Sequence, residues 1–344
     1  MIYQLDAEEF LAQSKAHFTI DVRSEAEYNY AHIPHAVNLP LFNNEERKKV
    51  GTIYKQQNRN EAILAGLEIV GPKMGWLVRF VQPNVIDNKV YVHCWRGGMR
   101  SGSVAWLLNL FGFEVYVLKG GYKSYRQYVL SVLARPYGYI VLGGRTGSGK
   151  TAVLNQLKNK GEQVIDMEKI ACHKGSAFGA LGQPTQPSTE YFENLLVEEL
   201  SRFNFSKRVW LEDESRSIGS VFLNLEFWRN LRNAPLFVLD VPVEIRIKRL
   251  VCDYGEQYSE SLKAAITKIK SRIGNEQWKN AMQALQQKNY AQVAAISLHY
   301  YDRTYDKGLR MKEAKEITRF TFDTDDLNEI CNALISAANI KYGN

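Results

Sequence analysis

A continuous apolar run, Tyr139-Ile140-Val141-Leu142, leads directly into Gly143-Gly144-Arg145-Thr146-Gly147-Ser148-Gly149-Lys150-Thr151. From Gly144 onward this is a full G-x-x-x-x-G-K-T match in strand, loop, helix order. No other feature restricts the fold as strongly. A short apolar run without alternation reads as a strand buried on both faces, and such strands belong to parallel sheets joined by helical crossovers. The loop is also a phosphate cradle. Its glycines let backbone N–H groups close on a diphosphate, Lys150 supplies a point charge, and the Thr151 hydroxyl suits a magnesium ion. Gly144, Arg145, Thr146, Gly147, Ser148, Gly149, Lys150 and Thr151 are therefore candidate phosphate-binding residues.

Val164-Ile165-Asp166 and Val209-Trp210-Leu211-Glu212-Asp213-Glu214 read as further strands of the same sheet. The second ends in carboxylates, as a metal-orienting strand does, so Glu212 or Asp213 is expected to partner magnesium or a water. The run from Pro235 to Val241 is another buried strand. Helical patterns follow it at Val243 to Cys252, Ser261 to Ile273 and Gln292 to Tyr301, which makes a P-loop α/β domain with a helical C-terminal part. Lys263, Lys268, Lys270 and Arg272, with aromatic residues interleaved, fit the phosphates and bases of an RNA loop. They fit ordinary solvated helix faces equally well.

The N-terminal half carries a second loop of the same kind. Val90-Tyr91-Val92 precedes His93-Cys94-Trp95-Arg96-Gly97-Gly98-Met99-Arg100-Ser101, and Val104, Leu107, Leu108 and Phe111 after it have helical spacing. Gly97 and Gly98 permit unusual dihedrals, the following helix presents its positive end, and Arg96 and Arg100 add full charges. Each effect favours a thiolate, so Cys94 is a candidate nucleophile or chalcogen carrier.

Composition bounds the rest. At 344 residues and 45% hydrophobic content, two domains can each bury a core. No apolar run is long enough to span a membrane, and MIYQLDAEEF places acids where a signal peptide has bases, so a cytoplasmic protein with no membrane partner is expected. Cys94, Cys172, Cys252 and Cys331 form no C-x-x-C pair, which argues against a zinc site and a disulfide scaffold. A net charge of +7 permits a polyanionic partner without requiring one.

Phe18-Thr19-Ile20-Asp21-Val22-Arg23, then His32-Ile33-Pro34-His35-Ala36-Val37-Asn38-Leu39-Pro40, then a strand ending in Cys94 with Arg100-Ser101, together resemble a rhodanese domain. The resemblance makes His32 and His35 turn residues rather than metal ligands. It implies a rhodanese-like α/β domain over residues 1–134 with an added helical segment at about 45–81, followed by the P-loop domain over residues 135–344. Five residues separate Cys94 from Arg100, where sulfurtransferase rhodaneses usually have four. Five is the spacing of cysteine phosphatases, whose loop holds a whole phosphate, so a phosphorylated donor suits it. The added segment carries Lys55, which either packs or reaches toward the loop.

The order of these two modules, Cys-Trp-Arg-Gly-Gly-Met-Arg-Ser before Gly-Gly-Arg-Thr-Gly-Ser-Gly-Lys-Thr and Trp-Leu-Glu-Asp-Glu-Ser-Arg, resembles the tRNA 2-selenouridine synthases over essentially the whole chain. That resemblance implies a selenotransferase and prenyltransferase whose partner is tRNA at the wobble 2-thiouridine. Geranyl diphosphate and selenophosphate would be co-substrates, Mg2+ a cofactor, and a selenophosphate-producing enzyme a partner. The P-loop would take the prenyl diphosphate. Cys94 would carry selenium as a perselenide, with Arg96, Arg100 and the loop residues Gly97, Gly98 and Ser101 on the donor's phosphate. Lys263, Lys268, Lys270 and Arg272 would hold tRNA. Two further readings stay open: a P-loop NTPase or kinase regulated by a phosphatase-like rhodanese domain, and an RNA-associated switch in which Cys94 senses oxidants.

Overall fold

The structure is a computed structural model that describes residues 1–176, 178–254, 259–310 and 316–343. The chain forms two compact units, Met1–Val132 with Glu193–Val197, and Leu133–Phe192 with Glu198–Asn344. Both are α/β units built on five-stranded sheets in which every pairing is parallel.

The first unit runs β1 (Ile2–Leu5), α1 (Ala7–Ser14), β2 (Phe18–Asp21), α2 (Glu25–Tyr30), β3 (Val37–Asn38), α3 (Asn44–Gln56), α4 (Arg59–Val70), α5 (Met74–Val81), β4 (Lys89–His93), α6 (Met99–Leu110), β5 (Glu114–Leu118) and α7 (Gly121–Ala134). Strand order is β1-β5-β4-β2-β3, which puts β4 at the centre. Val90, Val92, Ile20, Val115 and Val117 from the three inner strands pack with Val104 and Leu108 of α6 into one core. Sequence-local signals start the helices. Asp6 accepts from the Glu9 N–H ahead of α1, and Asn43 with Glu46 closes a capping box at α3. The added segment is α3 to α5. Helix α5 buries Leu77, Val78 and Val81, Gly66 of α4 faces the Phe42 ring, and Lys55 is exposed. In an all-parallel sheet the carboxyl ends of the strands share one edge, which is where ligand loops gather. The Cys94 loop leaves that edge from β4.

The rest of the chain runs β6 (Tyr139–Gly144), α8 (Lys150–Asn159), β7 (Gln163–Ile165), α9 (Met167–Ile170), α10 (Thr189–Leu200, its Glu193–Val197 stretch counted with the first unit), β8 (Val209–Glu212), β9 (Ser217–Ile218), β10 (Val221–Phe222), α11 (Leu225–Asn233), β11 (Leu236–Asp240), α12 (Val243–Tyr254), α13 (Ser259–Lys268), α14 (Lys270–Ile273), α15 (Asn275–Gln286), α16 (Tyr290–Arg310), β12 (Ile317–Thr321) and α17 (Leu327–Tyr342). Strand order is β12-β11-β6-β8-β7. Every residue of the central β6 is buried. Its core takes in Val153 and Leu154 of α8 and Ile330 and Leu334 of α17. A second cluster joins α13, α15 and α16 through Leu262, Ile266, Ala281, Leu285 and Val293.

Three details differ from expectation. The pattern at 261–273 is two helices, α13 and α14, and the last C-terminal pattern extends to the 21 residues of α16. Strand β12 has no apolar run because it lies at the sheet edge, with Ile317, Arg319 and Thr321 exposed and Thr318 and Phe320 half-buried. Among the described residues no helix is long and apolar enough to cross a membrane.

Candidate active sites

Cys94 follows the last residue of β4 and is 3% exposed. Its Sγ lies 3.2 Å from the Ser101 Oγ, a hydroxyl that can donate to a thiolate and is itself fully buried in the first turn of α6. The loop is held from below by the start of α7. The Tyr122 N–H donates to the Cys94 carbonyl at 2.8 Å and the Lys123 N–H to the Trp95 carbonyl at 3.0 Å. This approach requires Gly121, whose φ is +60°. A Cβ there would lie 2.4 Å from the Cys94 carbonyl oxygen and the Gly97 nitrogen. Gly121 stands 27 residues beyond Cys94 in sequence, so no local motif marks it.

The Asp21-Val22-Arg23 end of β2 lies beneath the same loop. Arg23 is fully buried, its Nε 2.9 Å from each Asp21 carboxylate oxygen, and its Nη2 donates to the Ala31 carbonyl at 2.8 Å. Its guanidinium sits 3.9 Å from the Tyr122 ring centroid and 5.8 Å from that of Trp95. His93 is fully enclosed 3.8 Å from Asp21, and burial holds its imidazole down at about 4, neutral at ordinary pH. Trp95, Arg96 and Gly98 are exposed, and Gly97 is half-buried. His32 stacks on Tyr28 at 3.8 Å and shares a hydrogen bond with its carbonyl.

Arg100 departs from expectation. Its Nη1 donates to Glu27 of α2 at 2.7 Å. Burial works against the Glu27 charge, yet the bond and charge of Arg100 hold that carboxyl below its usual range. Arg100 therefore braces α2 to α6, because a half-buried carboxylate must have a cationic partner. Arg96 is left as the exposed loop cation.

In the second unit the P-loop follows β6, and Gly149 caps α8. The Lys150 Nζ reaches back to the Gly144 carbonyl at 3.1 Å, which keeps its charge over the loop. Ser148 is 1% exposed, with a hydroxyl that has no partner among the described residues. Two arginines of α12 clamp the loop's carbonyls: Arg249 on Ser148 at 2.7 Å and Arg246 on Thr146 at 3.2 Å. Arg246 is 2% exposed and forks onto Asp302 at 2.7 and 2.8 Å. No local motif marks either arginine as a partner of the loop; the contact forms only when α12 is set beside it. Arg145 is paired with Asp306 and Asp240.

The carboxylate run at the end of β8 splits. Glu212 is fully buried, accepts from the Met167 N–H at 3.0 Å, and does not line the P-loop cavity. Burial, then the charges of Asp166 and Glu168, push it well above the usual carboxylate range. It is the last residue of β8 and fully enclosed, whereas Asp213, one residue past the strand, lines the cavity. Two acids that sequence reasoning did not single out as site residues join it. Thr151 Oγ1 donates to Glu168 at 3.3 Å, and Glu168 is hydrogen-bonded to Glu214. Burial raises both, Glu214 to about 8 with the Glu168 charge as the second cause. Gly175, at φ +65°, leaves them room: a Cβ there would lie 2.7 Å from Glu214 Oε1 and 2.9 Å from Glu168 Oε1. Among the described residues no three acid, His or Cys side chains gather as a metal site; Thr151 and Asp213, which both line the cavity, are oxygen donors of the kind Mg2+ takes together with a substrate's phosphates.

A cavity of about 1350 Å³ opens over the loop. Gly144, Thr146, Gly147, Gly149, Lys150 and Thr151 line it with Asp213 and Glu214. Lys263, Lys268, Lys270 and Arg272 do not; all four are exposed on α13 and α14, with Lys270 over the Trp278 ring at 4.1 Å.

Residues 137–336 match the family model described as the tRNA 2-selenouridine synthase AAA domain, and residues 5–128 match the rhodanese-like domain model. The tRNA 2-selenouridine synthases of Bordetella petrii and Serratia proteamaculans are 34% and 32% identical, spanning 83% and 87% of this chain and 85% and 89% of their own lengths. That of Nitrosomonas europaea is 38% identical over 68% of this chain and 63% of its own length. A thiol loop and a P-loop occur in one chain in the order these matches require, and the chain belongs to the tRNA 2-selenouridine synthase family.

Proposed function

We propose that this chain is a tRNA 2-selenouridine synthase working in two chemically separate steps: S-geranylation of a wobble 2-thiouridine, then replacement of the geranylthio group by selenium from selenophosphate. The observation that carries this reading is a pair of anion cradles in two compact units, one around a thiol and one around a lysine beside a large cavity.

The first step belongs to the second unit. The thiocarbonyl sulfur attacks the allylic carbon of geranyl diphosphate, the C–O bond breaks with its electron pair going to the diphosphate, and the uracil N3 proton passes to solvent. Lys150 and the P-loop N–H groups receive the charge that develops on the leaving diphosphate. Thr151 with Asp213 would hold Mg2+, whose bound charge supplies Lewis-acid stabilisation of that diphosphate. No nucleotide hydrolysis is needed.

Geranylation matters because a conjugated thiocarbonyl is a poor leaving group, whereas a thioether carbon can lose geranylthiolate. The Cys94 loop, with Arg96 at its rim, binds selenophosphate. Selenium bonds to C2 of the base, the C2–S bond breaks to release geranylthiolate, and water takes the phosphoryl group as inorganic phosphate. Selenium stays at the selenide level from donor to product, so this balance needs no reductant and no perselenide on Cys94. Lys263, Lys268, Lys270 and Arg272 hold tRNA through its phosphates.

The test supplies purified protein and Mg2+ with a thiolated anticodon stem-loop. Geranyl diphosphate alone should give the geranylated stem-loop, and added selenophosphate should give the selenouridine. RNA-stimulated ATP turnover without any prenyl transfer would overturn the reading.

A further inference from the structure

The cavity over the P-loop is larger than the roughly 300–1000 Å³ of common small-molecule sites, and a diphosphate fills only a corner of it. Helix α16 forms one long wall. Tyr290, Val293, Ala294, Leu298, Tyr301 and Tyr305 all line the cavity and fall on one face at three- and four-residue spacing. From Tyr305 back to Tyr290 this face runs about 22 Å at the helical rise of about 1.5 Å per residue. Its near end is fixed at the phosphate cradle: the Tyr305 hydroxyl lies 2.7 Å from where a Gly143 Cβ would sit. Farther along, Val293 belongs to an apolar cluster with Phe178 and Leu262, which also line the cavity. No charged side chain of α16 lines it, whereas α12 contributes Lys248, Arg249 and Asp253. Ser297 and Thr304 line it too, but their hydroxyls donate back to the Val293 and Tyr300 carbonyls of the helix, so between the tyrosine hydroxyls the wall at Val293, Ala294 and Leu298 is apolar, as a hydrocarbon requires.

We propose that this face of α16, with Leu262 and Phe178, is the tail subsite for a prenyl diphosphate, seating an allylic chain of geranyl length while the P-loop holds its diphosphate. The inference rests on the assignment of a prenyl diphosphate to the P-loop, and the experiment separates the two.

Inorganic pyrophosphate, dimethylallyl diphosphate and geranyl diphosphate are titrated by calorimetry into the full-length protein with Mg2+. Each buried tail carbon contributes about fourfold in affinity, so geranyl diphosphate should exceed pyrophosphate by at least about a hundredfold, with dimethylallyl diphosphate between them. Ala294→Phe, which fills the wall midway, should cost geranyl diphosphate about tenfold or more and leave pyrophosphate within about twofold. Equal affinity for all three probes in the unsubstituted protein would overturn the tail subsite while pyrophosphate binding upheld the P-loop assignment. Undiminished geranyl diphosphate binding by Ala294→Phe would remove α16 as its place. Binding of all three probes by Lys150→Ala as by the unsubstituted protein would overturn the P-loop assignment and the subsite with it. Should Ala294→Phe misfold and lose pyrophosphate too, the three-probe series on the unsubstituted protein still decides.

Discussion

The two units solve one problem, holding an anion where a central parallel strand ends, by different means. Around Cys94 the loop is fixed by backbone: the first amides of α7 take the carbonyls of Cys94 and Trp95, and Gly121 lets them approach. Around Lys150 it is fixed by side chains, Arg246 and Arg249 of α12. The first cradle closes on a nearly buried thiol; the second opens into a cavity edged with acids of raised proton affinity. The first arrangement suits a small donor presented at one atom. The second suits an extended substrate whose leaving group must be gripped while its other end is seated elsewhere.

The sharpest way to break this contrast is Lys150→Ala. Removing a charge that acts on the departing diphosphate should slow geranyl transfer about a hundred- to a thousandfold, read in single-turnover assays. Gly121→Ala should act on the other unit alone. The left-handed φ by itself costs about 1–2 kcal/mol, and contact with the Cys94 carbonyl adds to that. Thermal unfolding should shift down and selenium incorporation fall, with geranyl transfer kept.

How much of this was legible in sequence follows from what each feature depends on. The P-loop and the cysteine loop are contiguous, and local backbone chemistry defines both, so Gly144 to Thr151 and Cys94 to Ser101 stood out at once. The fold class followed from short apolar strands alternating with helical patterns. Supports that come from elsewhere in the chain were not legible. Gly121 matters only because α7 returns under β4, and Arg246 and Arg249 look like any basic helix until the P-loop is set beside them. Glu168 and Glu214 stand 46 positions apart and meet only when Gly175 lets them. Glu212 misled because three acids in a row hide which one is still inside the strand.

A pH titration sharpens the contrast more gently. His93 has a usual value of 6.5 and is held at about 4 by burial, so the unfolded chain binds the extra proton between those values. The stability linked to His93 is whole above about pH 6.5 and is lost as pH falls toward 4. Between pH 7 and pH 5 the loss is about 2 kcal/mol, visible in denaturant midpoints and flattened in His93→Gln.

The smallest effect concerns Lys263, Lys268, Lys270 and Arg272. A quadruple alanine variant should weaken thiolated, geranylated and unmodified stem-loops alike. Each lost phosphate contact should flatten the log affinity against log salt slope by about 0.7 to 0.9. An unchanged slope would move the RNA to other basic surfaces, such as Lys48, Lys49, Lys55 and Arg59 on the added segment.

The central claim is that two separable steps run on two cradles, and nucleoside analysis of single variants tests it most directly. Cys94→Ala, given a thiolated stem-loop, geranyl diphosphate and selenophosphate, loses a side chain of the selenophosphate cradle and should accumulate the geranylated nucleoside, forming selenouridine far more slowly. Lys150→Ala should leave the thiolated stem-loop unchanged, yet convert a pre-geranylated one to selenouridine at near the unsubstituted rate. Selenouridine made normally by Cys94→Ala, or loss of both steps in each well-folded variant, would contradict the account.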